Sequence, residues 1–353
     1  MQLRLPMFGA DFWSQPDLAA RAFARGVDPY ASRGHLFHYP PLVIRLFLWT
    51  PPLTIGAALR IWLVINIGLL VVATLMAVRV RRRLPVGQLP TSLALALVLF
   101  SSPVIFELER ANFDLITLAA ILIAVPLLAR RDRVSEVLAG AVLAVGPWVK
   151  IYPGLMGFGL VALRRWKAVA GFVVGGVLIG LMWPAETVRS FDVLALAMKR
   201  VEFISYIDAY YTWSHSISVG YLKIAQAALP SPIGKALMAV PMNVIGLAIV
   251  LGGASYVSYQ IFRLRSKSSH ELVFPLLLWL NALGSCVGVI ANDYSLTFLP
   301  LAAIIVHSFK DPWFVKLAML ALVIWWQPLH PHLPGLLFLL IKLLGIASVG
   351  VSL

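Results

Sequence analysis

Long apolar runs, broken by short basic clusters, dominate the chain. A helix that crosses a bilayer needs about 20 apolar residues. The runs Leu53–Val78, Thr91–Phe106, Leu115–Ala129, Ala168–Pro184, Pro241–Phe262, Leu272–Ile290, Leu296–His307, Trp313–Trp326 and Leu333–Val349 each predict a spanning helix. Several are short, so they predict upright helices or half-helices buried against protein. The segment from Asp132 to Arg165 predicts something else. Two brief apolar runs, Val137–Val149 and Gly154–Leu163, are split by Gly146, Pro147, Lys150 and Pro153. At about 1.5 Å of rise per residue neither crosses a core about 30 Å thick. A re-entrant or tilted hairpin that carries Lys150 deep is the expectation, and an ionisable residue at such depth is a functional candidate.

Charge orients these elements. Basic clusters follow the first, third and Pro241 spans (Arg79–Arg83, Arg130–Arg133, Arg263–Lys267) and precede the Ala168 span (Arg164–Lys167). All fall on one side if the spans alternate, and the positive-inside rule makes that side cytoplasmic. All but four of the 15 acids (Asp132, Glu136, Glu271 and Asp311) then lie on the opposite, outer face. Two long segments also lie there, residues 1–52 and 185–230. The first predicts an amphipathic helix over Pro16–Arg25, a turn over Gly26–Tyr30 and the stretch Phe37-His38-Tyr39-Pro40-Pro41. The second predicts an interfacial helix over Val188–Arg200, with Val188, Phe191, Leu194 and Ala195 on one face. With residues 1–52 outside, either the first span is a reverse anchor or a further transmembrane helix precedes Met1; the second is the expectation.

Composition agrees. Of 353 residues, 60% are hydrophobic and only 12% charged, against about 25% charged in soluble domains. That excludes a soluble globular protein and a disordered chain. The net charge of +14 sits in clusters between apolar runs rather than on a soluble basic face, which excludes a nucleic-acid-binding domain. The single cysteine, Cys286, forms no intramolecular disulfide and predicts inert packing. The fold class expected is an all-α polytopic membrane protein, one integral membrane domain over 1–353, in the cell membrane.

Four outer patches concentrate polar chemistry. They are Gly9-Ala10-Asp11-Phe12 with Gly26–Tyr30 and Phe37–Pro41; the tight turn Glu107–Asp114; Trp148–Pro153; and Ala291-Asn292-Asp293-Tyr294. In order and spacing they resemble glycosyltransferase family 87. The shared features are a lone Asp (Asp11), an alanine-rich helix (Ala19–Ala24), a Gly-x-x-Pro-Tyr turn (Gly26–Tyr30) and a Tyr-Pro-Pro-Leu helix entry (Tyr39–Leu42). A polar turn with Asn112, a Lys-x-Tyr-Pro segment (Lys150–Pro153) leading to Arg164-Arg165-Trp166, a Ser-containing segment (Ser214–Ser218) and a late Asp-Tyr (Asp293-Tyr294) complete the set. Members of the family start with a transmembrane helix before the Asp, a departure here.

The resemblance implies a GT-C-like transmembrane bundle with long extracytoplasmic loops and short re-entrant helices. It implies inverting transfer of a hexose, mannose above all, from a polyprenyl-phosphate donor to a glycan or glycolipid acceptor on the extracytoplasmic face. The lipid-linked sugar is a co-substrate, and no cofactor is expected. Such transfer needs a general base for the acceptor hydroxyl. Asp11 matches the family's catalytic Asp, against a surface or helix-cap role; Asp17 is a weaker candidate. The lipid phosphate needs cations as charge develops, and Lys150 and Arg110 are the candidates, although Arg110 is also spaced to pair with Glu107. His38, Tyr39, Asn112, Tyr152, His215 and Asp293 are candidate substrate contacts. Lys199, Arg200 and Lys223 suit headgroup contacts, with a hold on the donor phosphate the alternative. No metal site is expected, since the outer loops hold no Asp-x-Asp pair and His330 and His332 lack nearby acids. The alternative is a lipid or solute transporter; broken helices are common in transporters, but no internal repeat is evident.

Overall fold

The computed structural model describes residues 8–31, 37–130, 132–199, 231–232, 242–264, 271–286, 293–307, 343–344, 346–350 and 353. The spans expected over Trp313–Trp326 and most of Leu333–Val349, most of the second outer loop with His215, Arg200 and Lys223, and the His330–His332 turn lie outside the described residues. The rest is helical, and no strand occurs among the described residues. The chain forms two compact units. The first comprises Met1–Val72, Phe106–Ile151 and Lys167–Phe203; the second comprises Ala73–Ile105, Tyr152–Trp166 and Ile204–Leu353.

In the first unit, a helical stretch of α1 (Ala10–Phe12), a π turn (Trp13–Asp17) and α2 (Leu18–Ala24) replaces the single helix expected from Pro16. It starts earlier because Gly9 turns the chain at φ +71°, and Trp13 donates its amide to the Gly9 carbonyl at 3.1 Å. The π turn absorbs Pro16, which has no amide to give to the ladder. The stretch ends at Gly26, φ +73°, where the Val27 amide folds back onto the Ala22 carbonyl at 2.9 Å, a left-handed glycine stop. Short α3 (Pro41–Leu46) follows, with proline at its start. Arg21 ties α2 to the turn that follows α3, donating to the carbonyls of Thr50, Pro51 and Leu53 while Asp17 holds its Nε at 2.9 Å. Asp17 is 1% exposed and thus serves this brace.

Helix α4 (Ile55–Arg81) runs from this unit into the second and realises the Leu53–Val78 expectation. Helix α7 (Leu115–Arg130) matches its predicted run. Helix α8 (Arg133–Leu143) begins four residues before Val137 because Asp132 caps it, accepting from the Ser135 amide at 2.8 Å. The chain then breaks as predicted, through short α9 (Val145–Val149) into extended Lys150. In α11 (Trp166–Met182), glycines let α8 approach closely. A Cβ on Gly140 would stand 1.9 Å from the Ala168 carbonyl oxygen, and one on Gly171 2.1 Å from that of Val137. After a 96° bend comes α12 (Pro184–Lys199). It starts before Val188 because Pro184 is favourable at a first helical turn. Its Val188 and Phe191 face outward while Thr187 and Ser190 are buried, the polarity of a helix lying against lipid.

The second unit contains α5 (Thr91–Leu99), the first residues of α6 (Ser102–Arg110), a 3-10 turn (Tyr152–Leu155), α10 (Met156–Ala162), α13 (Met242–Leu264), α14 (Val273–Ser285), a second 3-10 turn (Asp293–Thr297) and α15 (Phe298–Val306). The expected Thr91–Phe106 span is bent by 57° between α5 and α6. Proline 103 in the first turn of α6 explains the break, since it starts a helix readily and continues one poorly. All of α14 is buried, and Cys286 at its end is buried too. Arg81, expected in a cytoplasmic basic cluster, is 3% exposed. Its guanidinium donates to the carbonyls of Val86, Gly87, Ile304 and His307, closing the C-terminal end of α15.

Helices α4 and α13 are long and apolar enough to cross a bilayer, and the bent pairs α5 with α6 and α11 with α12 qualify when taken as single spans. Exposed Val173, Val174, Val177, Leu178, Leu181 and Met182 give α11 a surface suited to acyl chains. The protein is an all-α polytopic membrane protein.

Two outcomes test this packing. Gly140→Leu is expected to abolish the monodisperse peak in fluorescence-detected size exclusion, whereas Gly252→Leu on α13, where no atom lies within 4 Å of the added Cβ, keeps it. The Asp132 carboxyl is held below the usual carboxylate range by hydrogen bonds from the Ser135 hydroxyl and then its amide. Its stabilising cap is therefore complete above the ordinary carboxylate value and disappears as pH falls through the depressed one. Asp132→Ala should flatten that acid limb in a thermal-unfolding series.

Candidate active site

The apolar floor of the first unit sets the site. Phe12, Phe47, Trp62, Phe113 and Val149 are buried in one cluster. Phe47 packs edge-on against Trp62 at 4.9 Å, Phe12 stacks on Trp62 at 6.5 Å, and Tyr39 meets Phe113 edge-on at 4.8 Å. Four polar residues of the site neighbour one of these anchors in sequence: Asp11 beside Phe12, Asn112 and Asp114 around Phe113, Lys150 after Val149. Burying the aromatic rings therefore delivers the polar groups to one place.

Backbone hydrogen bonds refine that placement. The Gly9 amide donates to the Glu109 carbonyl at 2.7 Å, tying the start of α1 to the end of α6. Ala111 adopts φ +49°, which lets the Asn112 amide return to the Glu107 carbonyl at 3.2 Å. From α4, Trp62 Nε1 donates to the carbonyls of Ala111 and Asn112, each at 3.1 Å. A left-handed alanine is unfavourable by about 1–2 kcal/mol, and these bonds hold it.

On this frame the charges pair across long sequence distances. Arg110 Nη2 donates to Asp11 Oδ1. Asn112 Nδ2 donates to Asp11 Oδ2 at 2.7 Å, and Asn112 Oδ1 accepts from Lys150 Nζ at 2.9 Å and from the Phe113 amide at 2.7 Å. Lys150 also pairs with Asp114 Oδ1 and lies 5.1 Å from the Phe113 ring centre. Asn112 thus connects the acid of the first loop to the lysine of the broken hairpin. The two ion pairs differ in access. The side chains of Lys150 and Asp114 are 9% and 0% exposed, those of Arg110 and Asp11 23% and 13%. Asp11 and Arg110 are the more exposed half of the cluster.

Of the residues singled out from sequence, the fold brings Asp11, Arg110, Asn112 and Lys150 into direct contact. Tyr39 packs on the same floor, its carbonyl accepting from the Tyr30 hydroxyl at 3.0 Å. Burial, with Glu186 adding, pushes that hydroxyl above its ordinary value. His38 is half-buried and lies tilted against the Tyr39 ring at 4.4 Å. Tyr152 belongs to the second unit and opens its 3-10 turn. Asp293 begins a 3-10 turn of the second unit; its side chain, like His215, lies outside the described residues. Arg110 reaches Asp11, although its spacing equally suited Glu107. Two carboxyls escaped selection as site residues, Asp114 and Glu107. Their spacing in the Glu107–Asp114 turn is the signal that finds them. Glu107 is fully buried, and neither carboxyl oxygen has a hydrogen-bond partner among the described residues. No group of three or more His, Cys, Asp or Glu is placed to hold a metal ion among the described residues.

The sequence matches glycosyltransferase family 87 over residues 37–278. The chain belongs to glycosyltransferase family 87. No curated protein and no solved structure matches it. The matched region contains Arg110, Asn112, Asp114 and Lys150, and Asp11 precedes it. The contacts made by Asp11 come from the fold of this chain.

Removing one partner of a buried charge pair costs about 3–5 kcal/mol. Asp114→Asn is therefore expected to lower the thermal midpoint in detergent markedly. Glu107→Met removes a carboxyl with no hydrogen-bond partner at similar volume, and is expected to hold or raise that midpoint.

Proposed function

We propose that this membrane glycosyltransferase moves a hexose, mannose first among candidates, from a polyprenyl-phosphate donor to an acceptor hydroxyl, with inversion, at the extracytoplasmic face of the cell membrane. The observation that carries the reading is the Asp11–Arg110–Asn112–Lys150 constellation: a partly exposed carboxylate held by Arg110 and Asn112, with Lys150 behind Asn112. A carboxylate has about four acceptor positions. Arg110 and Asn112 occupy two, which leaves capacity for an incoming hydroxyl. Family membership supplies the reaction class, and the outward bias of the acids in the sequence supports the extracytoplasmic side.

In this reading the acceptor hydroxyl binds at Asp11. Its oxygen attacks the anomeric carbon while Asp11 takes the proton, and the bond to the lipid phosphate breaks on the opposite face. Lys150, paired with Asp114 and bonded to Asn112, holds the frame beneath the site. Tyr39 and His38 offer an aromatic edge for the sugar or phosphate; Tyr152, His215 and Asp293 are further proposed contacts. General-base removal typically costs about 10²–10⁴-fold in rate. Asp11→Asn in membranes supplied with radiolabelled polyprenyl-phosphate-mannose should lose that much transfer, with the protein still folded. Equal transfer by the variant would remove Asp11 from the chemistry. A stable wild type inactive with this donor but active with a nucleotide sugar would refute the lipid-linked donor.

A further inference from the structure

The Arg110–Asp11 pair has a consequence for the order of charge movement. This inference rests on the reading of Asp11 as base. In the transfer, the acceptor's O–H bond breaks and its proton passes to the Asp11 carboxylate, which becomes neutral. The acceptor oxygen bonds to the anomeric carbon. The bond from that carbon to the phosphate oxygen breaks, and its electron pair stays on the phosphate. A singly charged phosphodiester thus becomes a phosphomonoester with one more negative charge. Overall, one unit of negative charge leaves Asp11 and appears on the departing lipid phosphate.

We propose that Arg110 couples these two events: its guanidinium is the counter-ion of Asp11 at rest and passes to the leaving phosphate as Asp11 takes up the proton. Three observations support it. Arg110 holds Asp11 directly, through Nη2 on Oδ1. The guanidinium is a planar fork with five N–H donors, so it can contact a second anion before releasing the first. Of the two cations, Arg110 is the accessible one at 23% exposure, whereas Lys150 at 9% is locked between Asp114 and Asn112. Lys150 holds the frame, and Arg110 follows the charge. Arg110 is then worth more in the transition state than in the donor complex, which is the condition for a group to raise kcat rather than lower KM.

The test uses the full chain in nanodiscs with radiolabelled polyprenyl-phosphate-mannose. Arg110→Gln is expected to lower kcat by about 10²–10³-fold, the loss typical of a transition-state charge stabiliser, while KM for the donor stays within about threefold. Arg110→Lys should recover part of the rate, and millimolar guanidinium should raise the rate of Arg110→Ala. An unchanged kcat with a raised KM would overturn the coupling and leave Arg110 as a ground-state phosphate contact. If Arg110→Gln does not fold, the Lys variant and the guanidinium rescue decide, since a structural role predicts no rescue of turnover in folded protein. Asp11→Asn runs in parallel. Its full activity would refute the base assignment, whereas its inactivity beside a fully active Arg110→Gln would refute the coupling alone.

Discussion

A carboxylate close to an apolar floor needs partners, and the first unit is organised around supplying them to Asp11. Charged groups are costly to withdraw from water unless paired and hydrogen-bonded. Here one arginine and one asparagine meet the two carboxylate oxygens, and the same asparagine accepts from a lysine that a second aspartate neutralises. Asn112 is the pivot. Its amide presents a donor to the acid and an acceptor to the lysine, so its orientation is set by chemistry. Leucine or aspartate there would satisfy at most one side. This explains why a fully buried polar residue sits among Phe12, Trp62 and Phe113.

The apolar and polar parts of the site are therefore one structure. Aromatic burial brings three distant segments together, at Phe12, Phe113 and Val149. Beside each anchor the helical backbone is interrupted: by left-handed Gly9, by left-handed Ala111, and by extended Lys150 after a short helix. Those breaks face the neighbouring polar groups inward. Stability and chemistry share residues, so substitutions in the cluster must be judged by folding and by turnover together.

Much of this was legible in the sequence, for physical reasons. Hydropathy found the long helices because a bilayer imposes a minimum apolar length, and α4, α7, α11 and α13 lie where their runs predict. The Pro and Gly residues around Lys150 marked a genuine break. Composition alone hid pairwise partners. Arg110 lies three residues from Glu107 and many from Asp11, so local spacing offered Glu107 as a partner and gave no sign of Asp11, which the fold supplies. The same limit concealed the pairing of Asp114 with Lys150, and Arg81, which resembled one more cytoplasmic charge but donates to four carbonyls. Breaks such as the bend between α5 and α6 were also missed, because hydropathy averages across a Ser-Ser-Pro interruption that the backbone cannot ignore.

Membership of glycosyltransferase family 87 fixes the class of reaction, and the proposal is that it occurs at Asp11. The most direct measurement is a cryo-electron-microscopy structure of the full chain in nanodiscs with a non-transferable polyprenyl-phosphate-sugar analogue. The account predicts the sugar's anomeric carbon opposite the Asp11 carboxyl, with the phosphate within hydrogen-bonding reach of Arg110. A phosphate bound away from Arg110, with Asp11 shut off from the sugar by the same partners it has at rest, would contradict it.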